Sequence, residues 1–242
     1  MKIALIGYGK MGQMIDQLAT ARGHEIVTKI SSRNSGDVSK LNAKNADVAI
    51  EFTSPQSAFD NVMHCLQQHL PVVSGSTGWN DQVKLAQDFC KKNRGSLLHA
   101  SNFSVGVNIF FEINKLLARL MGRQPEYSVA MTEIHHSQKK DAPSGTAVTL
   151  AEQILNAHPG KSKWVNEKTD RPGEIGIVSE RVDPAPGTHI VNYHSAIDEI
   201  EIRHTAHSRQ GFAMGAILAA EYISDKVGIF SMKDVLGIPT LA

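Results

Sequence analysis

A short, uniformly apolar run, Ile3 to Ile6, leads without a break into Gly7-Tyr8-Gly9-Lys10-Met11-Gly12. A helical pattern follows, with Met11, Met14, Ile15 and Leu18 on one side, and closes at Gly23. A second strand-like run, Glu25 to Ile30, comes next. A run that is apolar on every residue suits a strand buried on both faces of a parallel sheet. Glycines in a G-x-G-x-x-G spacing often mark nothing more than a tight turn. Here the strand precedes them, the helix follows and the second strand arrives on schedule. That context is what a dinucleotide site requires, with the pyrophosphate at the helix N-terminus.

The same alternation continues down the chain. Asp47 to Phe52 reads as a third buried strand, ending in Glu51-Phe52-Thr53-Ser54-Pro55, and a helix with Ala58, Val62, Met63 and Leu66 on one face follows it. Pro71 to Ser74 is a fourth strand, running into Gly75-Ser76-Thr77-Gly78, and a helix spans about Asp81 to Asn93. Ser96 to His99 is a fifth, followed by Ala100-Ser101-Asn102-Phe103-Ser104-Val105-Gly106-Val107-Asn108. Every strand thus ends in small or polar residues, the edge at which open α/β sheets bind ligands. The pattern predicts an α/β chain with a Rossmann-like doubly wound parallel sheet.

After Asn108 the pattern changes. One helix, carrying Ile109, Phe110, Ile113, Leu116, Leu117 and Leu120, gives way to alternating strands at Tyr127–Ile134, Ile175–Val182, Thr188–His194 and Ile197–His204. These predict a second, α+β domain with a mixed or antiparallel sheet. A last helix, Phe212 to Ile223, returns to the first domain. The expected division is residues 1–106 with 216–242 as the dinucleotide-binding domain, and residues 107–215 for substrate binding and oligomerisation.

With 242 residues and a net charge of +1 the chain has no basic cluster, which argues against nucleic acid and anionic membranes as partners. No apolar run approaches a membrane span, and the N-terminal stretch is too short for a signal peptide, so the expected location is cytoplasmic. Cys65 and Cys90 each fall inside an apolar helical pattern and read as buried, reduced thiols.

The second strand lacks one part of the dinucleotide fingerprint, the acidic residue that holds a ribose 2′-hydroxyl. Lys29-Ile30-Ser31-Ser32-Arg33-Asn34 stands there instead. Hydroxyls and cations suit a 2′-phosphate better than a free hydroxyl, which makes NADPH the preferred cofactor with NADH still usable. The competing reading is that Lys29 and Arg33 are ordinary surface charges.

The densest chemistry lies between Glu133 and Ala147, E-I-H-H-S-Q-K-K-D-A-P-S-G-T-A. Ser144 is a good N-cap and an apolar-periodic run starts at Ala147, so a helix begins there with the amides of Gly145 and Thr146 facing forward. Such an end, at the positive pole of the helix dipole, accepts a carboxylate or phosphate. The strand upstream delivers His135 and His136 beside it. Proton carriers next to an anion site could protonate an anionic substrate. A solvated loop is the bland alternative; a metal site is disfavoured, because the spacing is not His-Glu-x-x-His and Lys139 would repel a cation.

Taken in order, Gly7–Gly12, Glu51-Phe52-Thr53, Gly75-Ser76-Thr77-Gly78, Ser101–Asn108, Glu133–Ala147, and the late Ser208-Arg209, Phe212-Ala213 and Gly215-Ala216 closely resemble the 4-hydroxy-tetrahydrodipicolinate reductase (dihydrodipicolinate reductase) family. The resemblance spans nearly the whole chain, and the E-x-H-H-x-x-K-x-D-A-P-S-G-T-A run is its most specific part. It implies reduction of a small cyclic dicarboxylate by a nicotinamide hydride in lysine and diaminopimelate biosynthesis. It assigns acid catalysis to His135 and Lys139, and substrate contacts to His136, Ser144, Gly145 and Thr146. Around the cofactor it places Gly7, Tyr8, Gly9, Lys10, Met11 and Gly12, then Phe52, Gly75, Ser76 and Thr77, then Ala100, Ser101, Asn102 and Phe103. Ser32 and Arg33 fall at the cofactor's 2′ position. It implies a homotetramer joined through the second domain's sheet, whose outer face reads as weakly charged (Ile190, Val191, Tyr193 and His194); with the spacing and Lys139 against one, no metal is expected. Many members carry an acid after the second strand; this chain departs there. An amino-acid or imine dehydrogenase and a non-catalytic nucleotide sensor are the alternatives, and neither needs the Glu133–Ala147 cluster.

Overall fold

The computed structural model describes residues 1–239. In chain order it begins β1 (Lys2–Ile6), α1 (Lys10–Ala21), β2 (Glu25–Ile30), β3 (Val48–Glu51), α2 (Pro55–Gln67), β4 (Val72–Ser74), α3 (Asn80–Lys92) and β5 (Ser96–His99). There follow α4 (Val105–Met121), β6 (Ser128–His135), α5 (Gly145–Ala157), β7 (Lys163–Val165), β8 (Glu174–Arg181), β9 (Gly187–His194) and β10 (Glu199–Ala206). The described chain closes with α6 (Gln210–Ile223), β11 (Gly228–Phe230) and α7 (Met232–Val235). It divides into two compact units, one of Met1–Val105 with the chain from Gln210 onward, the other of Gly106–Arg209. The return to the first unit therefore falls at the start of α6 and not at residue 216, which lies inside that helix.

The first unit is a six-stranded sheet in the order β11-β5-β4-β3-β1-β2, parallel throughout. Its strands are apolar on both sides because both sides are covered. Ile3 and Leu5 face a core shared with Ile15, Ala19, Ala216 and Ile217 of α1 and α6. Ala4 and Ile6 face another, built with Ala58, Val62, Cys65 and Ala86 of α2 and α3. Cys65 and Cys90 are both buried and unpaired.

The second unit is a five-stranded mixed sheet in the order β10-β9-β6-β8-β7. β6 pairs antiparallel with β9 and parallel with β8. One face packs on α4 and α5 through Val129, Met131, Ile175, Ile177, Val191 and Tyr193 against Phe110, Ala118, Leu150 and Ile154. Val191 and Tyr193 are thus core residues, contrary to the sequence reading that set them on the outer face. Along β9 it is Ile190, Asn192 and His194 that point the other way. Two strands, β7 and β11, have no counterpart in the sequence reading.

Candidate functional site

In the first unit the three glycines of the turn do different work. Gly7 has φ +101, and a Cβ there would lie 1.9 Å from the Phe52 carbonyl oxygen. A Cβ on Gly12 would lie 2.1 Å from the Gly7 carbonyl oxygen. Both must be glycine for the turn to close and for α1 to seat against it. Gly9, the N-cap of α1, has open space around it, with nothing within 4 Å of a Cβ. That is the position at which a pyrophosphate would approach the backbone, so the turn fits a dinucleotide.

Two cavities flank this turn. One of ≈ 420 Å³ is lined by Gly7, Tyr8, Gly9, Phe52 and the loop after β2, including Ser31 and Ser32. The other, ≈ 380 Å³, is lined by Gly9, Lys10, Met11, Gly12, Phe52, Gly75, Ser76 and Thr77. Most of the residues expected around a cofactor therefore lie on these two walls. Phe103 does not: it is buried, its carbonyl packs on Gly215, and its ring lies 5.7 Å from that of Phe52. Ala100, Ser101 and Asn102 follow β5 outside both linings, as Arg33 does after β2. A larger cavity of ≈ 590 Å³ lies at the amino ends of the strands, away from the turn.

Among the described residues no acidic side chain lines the cavity beside Ser31 and Ser32. Lys29 is already engaged: its Nζ lies 2.6 Å from Asp16 Oδ2 and 5.3 Å from the Tyr8 ring centroid. Asn34 organises the loop, its Oδ1 accepting from the Ser31 amide at 2.8 Å and its Nδ2 donating to Asp37. Among the described residues the Arg33 guanidinium, which is exposed, makes no ion pair.

Glu51, whose motif was legible but whose role was not, is completely buried at the end of β3. Its carboxylate accepts from the Thr53 amide at 2.8 Å, Ser74 Oγ at 2.6 Å and Ser76 Oγ at 2.7 Å. It ties together the loops after β3 and β4 that wall the second cavity.

The second unit holds the denser site. The two-residue period of β6 turns Glu133 and His135 to the buried face, with Val129 and Met131. His135 ends the strand and His136 lies just past it. Across the pairing, Glu133 stands opposite His189 of β9, and His135 opposite Arg181 of β8. The Ser144 amide donates to both oxygens of Glu133, at 3.1 and 3.0 Å. Arg181 Nη2 donates to Glu133 Oε1 at 3.0 Å and to the Asp141 carbonyl at 2.6 Å. His135 Nε2 lies 3.5 Å from Glu133 Oε2 and 3.3 Å from His189 Nε2. Burial pushes the Glu133 carboxyl upward, but hydrogen bonds from His135, Ser144, Ser179 and Arg181 outweigh it and hold the group well below the usual carboxylate range. Burial, helped by the neighbouring His135, pushes His189 down to about 4, so it is neutral at pH 7.

Ser144 caps α5 as the sequence predicts, its Oγ accepting from the Ala147 amide at 3.2 Å. Gly145 opens the helix and is exposed, with nothing within 4 Å of a Cβ. Lys139 pairs with Asp141 at 2.7 and 2.8 Å, which lowers the Asp141 carboxyl. Ser137 donates to Asp183 through its amide at 3.2 Å and through its hydroxyl. The loop from 136 to 143 is thus pinned by Arg181 and Asp183 while His135, Lys139 and the start of α5 share one neighbourhood. The ligand atoms of Glu133, His135 and His189 lie within 4.8 Å of one another, a spacing open to a metal ion. The Arg181 guanidinium on Glu133 works against a cation there. Sequence reading missed Arg181 and His189 entirely, and gave Glu133 no role. Only the strand pairing brings them together.

Comparison with known proteins agrees with this construction. The family models described as "Dihydrodipicolinate reductase, N-terminus" and "Dihydrodipicolinate reductase, C-terminus" match residues 1–103 and 106–236. A 4-hydroxy-tetrahydrodipicolinate reductase of Christiangramia forsetii is 51% identical over 98% of this chain and 98% of its own. One of Methanosarcina acetivorans is 39% identical over 82% of this chain and 76% of its own. Among solved structures, a dipicolinate-bound dihydrodipicolinate reductase from Paenisporosarcina sp. TG-14 shares the fold, with a TM-score of 0.77 at 24% identity over 98% of this chain and 99% of that one. Glycine turn, acid cluster and both halves of the chain converge: it belongs to the dihydrodipicolinate reductase family of oxidoreductases.

Proposed function

We propose that the chain reduces 4-hydroxy-tetrahydrodipicolinate to tetrahydrodipicolinate in the cytoplasm, using NADPH in preference to NADH. The observation that carries this reading is the meeting, at one strand end and one helix start, of His135, Lys139 and the exposed N-terminus of α5. A nicotinamide held by the first unit would supply the hydride. Gly7, Tyr8, Gly9, Lys10, Met11 and Gly12 would hold its dinucleotide, with Phe52, Gly75, Ser76 and Thr77 walling the second cavity. Ser32 and Arg33 would face a 2′-phosphate; the absence of any acid from that cavity's wall supports the preference.

The chain's own part is positioning and proton supply. The amides of Gly145 and Thr146, at the positive end of α5, would hold a substrate carboxylate, with Ser144 fixing the helix start and His136 beside it. His135 and Lys139 would donate the proton that neutralises charge on the reduced ring. Arg181 and Glu133 keep the loop between them in place. A homotetramer through the outer face of the second unit's sheet is part of the same reading, supported by the exposed Val178 and the half-buried Ile190 there.

The test is oxidation of NADPH by freshly generated 4-hydroxy-tetrahydrodipicolinate. Turnover that needs both compounds supports the reading. Turnover with an amino acid or cyclic imine, and none with the dicarboxylate, would favour the amine-type dehydrogenase.

A further inference from the structure

The cluster around Glu133 contains a histidine for which the proposed reaction has no use. His189 is buried at the start of β9, opposite Glu133, with its Nε2 3.3 Å from His135 Nε2 and 3.1 Å from Ser144 Oγ. Its other nitrogen, Nδ1, is buried with no hydrogen-bond partner among the described residues. A buried imidazole nitrogen left without a partner is destabilising, so its presence against His135 calls for a reason.

The two nitrogens of His135 are treated differently. Nε2 is enclosed between Glu133 Oε2 at 3.5 Å and His189 Nε2 at 3.3 Å. Nδ1 makes no hydrogen bond among the described residues, and it is not one of the sealed, unpartnered atoms. Beside it stands Gly187, where a Cβ would lie 2.9 Å from His135 Cε1 and 3.1 Å from Nδ1. The glycine therefore leaves that side of the ring clear. An ionised carboxylate can only accept, so Glu133 keeps a proton on Nε2.

We infer that the proton His135 delivers leaves from Nδ1, and that His189 is the positioning residue that commits Nε2 and turns Nδ1 outward. This rests on the reductase reading. In the step, the Nδ1–H bond of the imidazolium breaks and its electron pair stays on nitrogen. The new bond forms to the electron-rich ring atom left by hydride addition. His135 remains neutral, with its Nε2 proton still held towards Glu133. Facing this pair are Arg181 from β8, bound to the other oxygen of Glu133, the Lys139–Asp141 ion pair of the loop, and His204 of β10 behind His189.

The experiment compares the intact enzyme with H189L and H189Q. His189→Leu removes the partner of Nε2; kcat should fall about 10–100-fold while KM changes less than about threefold. The pH at which kcat is half-maximal should move down, because the charged ring loses an acceptor. His189→Gln returns an amide near the Nε2 position and should restore most of kcat. Unchanged kcat and pH profile in His189→Leu would overturn the proposal. Should the leucine variant fail to fold, side-chain 15N NMR of the unmodified chain decides: neutral His135 protonated on Nε2 supports it, and on Nδ1 refutes it. That readout needs no turnover, whereas an inactive wild-type enzyme would refute the reductase reading instead.

Discussion

Replacing Arg181 by Met strips the guanidinium from a carboxylate that is completely buried. Glu133 has 0% side-chain exposure and Arg181 20%, so solvent cannot take over the pairing. Breaking a buried pair by removing one partner costs about 3–5 kcal/mol. The Ser144 amide still reaches both oxygens of Glu133, which places the expected loss near the lower end, about 3 kcal/mol. With a urea m-value of about 1–3 kcal/mol/M, the midpoint should drop by about 1–3 M. Trp164 lies in β7 of the second unit and Trp79 in the core of the first. Its fluorescence in a Trp79→Phe background therefore reports the right unit. Adding Glu133→Gln should recover part of the loss, because the stranded charge goes with it. Acid should act on the same pair. The folded carboxyl lies below its ordinary 4.5, so its stabilisation is full above that value and disappears as pH falls through the folded one. In Arg181→Met the acid loss should begin at higher pH. A wild-type midpoint in Arg181→Met, or a double variant no better than the sum of the singles, would refute the reasoning.

Gly12→Ala sets a methyl 2.1 Å from a backbone oxygen and should abolish nucleotide binding while the Trp164 unfolding signal stays put; calorimetric titration with NADPH checks it. Thr146→Val should raise KM more than it lowers kcat, with pyridine-2,6-dicarboxylate inhibiting competitively against substrate. NADPH should bind about 10–100-fold tighter than NADH at low salt, the worth of one charge-assisted bond to phosphate. Arg33→Ala and added salt should each narrow that ratio; equal dissociation constants in the parent would contradict it.

The βαβ start was readable because its signal is local. Strand, glycines and helix occupy adjacent residues, and packing against Phe52 and Gly7 only enforces what their order implies. The start of α5 was readable for the same reason, since Ser144 caps it within three residues. The rest depended on distant pairing. β7 and β11 are three residues each, too short to show a period, and exist because β8 and β5 offer them an edge. In β9 both faces carry apolar side chains, so alternation could not say that Val191 and Tyr193 turn inward. Arg181 and His189 join Glu133 through the register of β8 and β9, which no spacing in the sequence fixes. Lys29 read as a free cation because Asp16, its partner, sits on the preceding helix.

In the proposed reaction the second unit's acid cluster completes a reduction whose nucleotide is held elsewhere in the chain. Single-turnover oxidation of bound NADPH by 4-hydroxy-tetrahydrodipicolinate tests it most directly, in the parent and in His135→Ala and Lys139→Ala. Oxidation should be rapid in the parent and slowed about 10²–10⁴-fold in the variants, with the same NADPH dissociation constant in all three. Parent-like rates in both variants, or loss of NADPH binding together with rate, would contradict it.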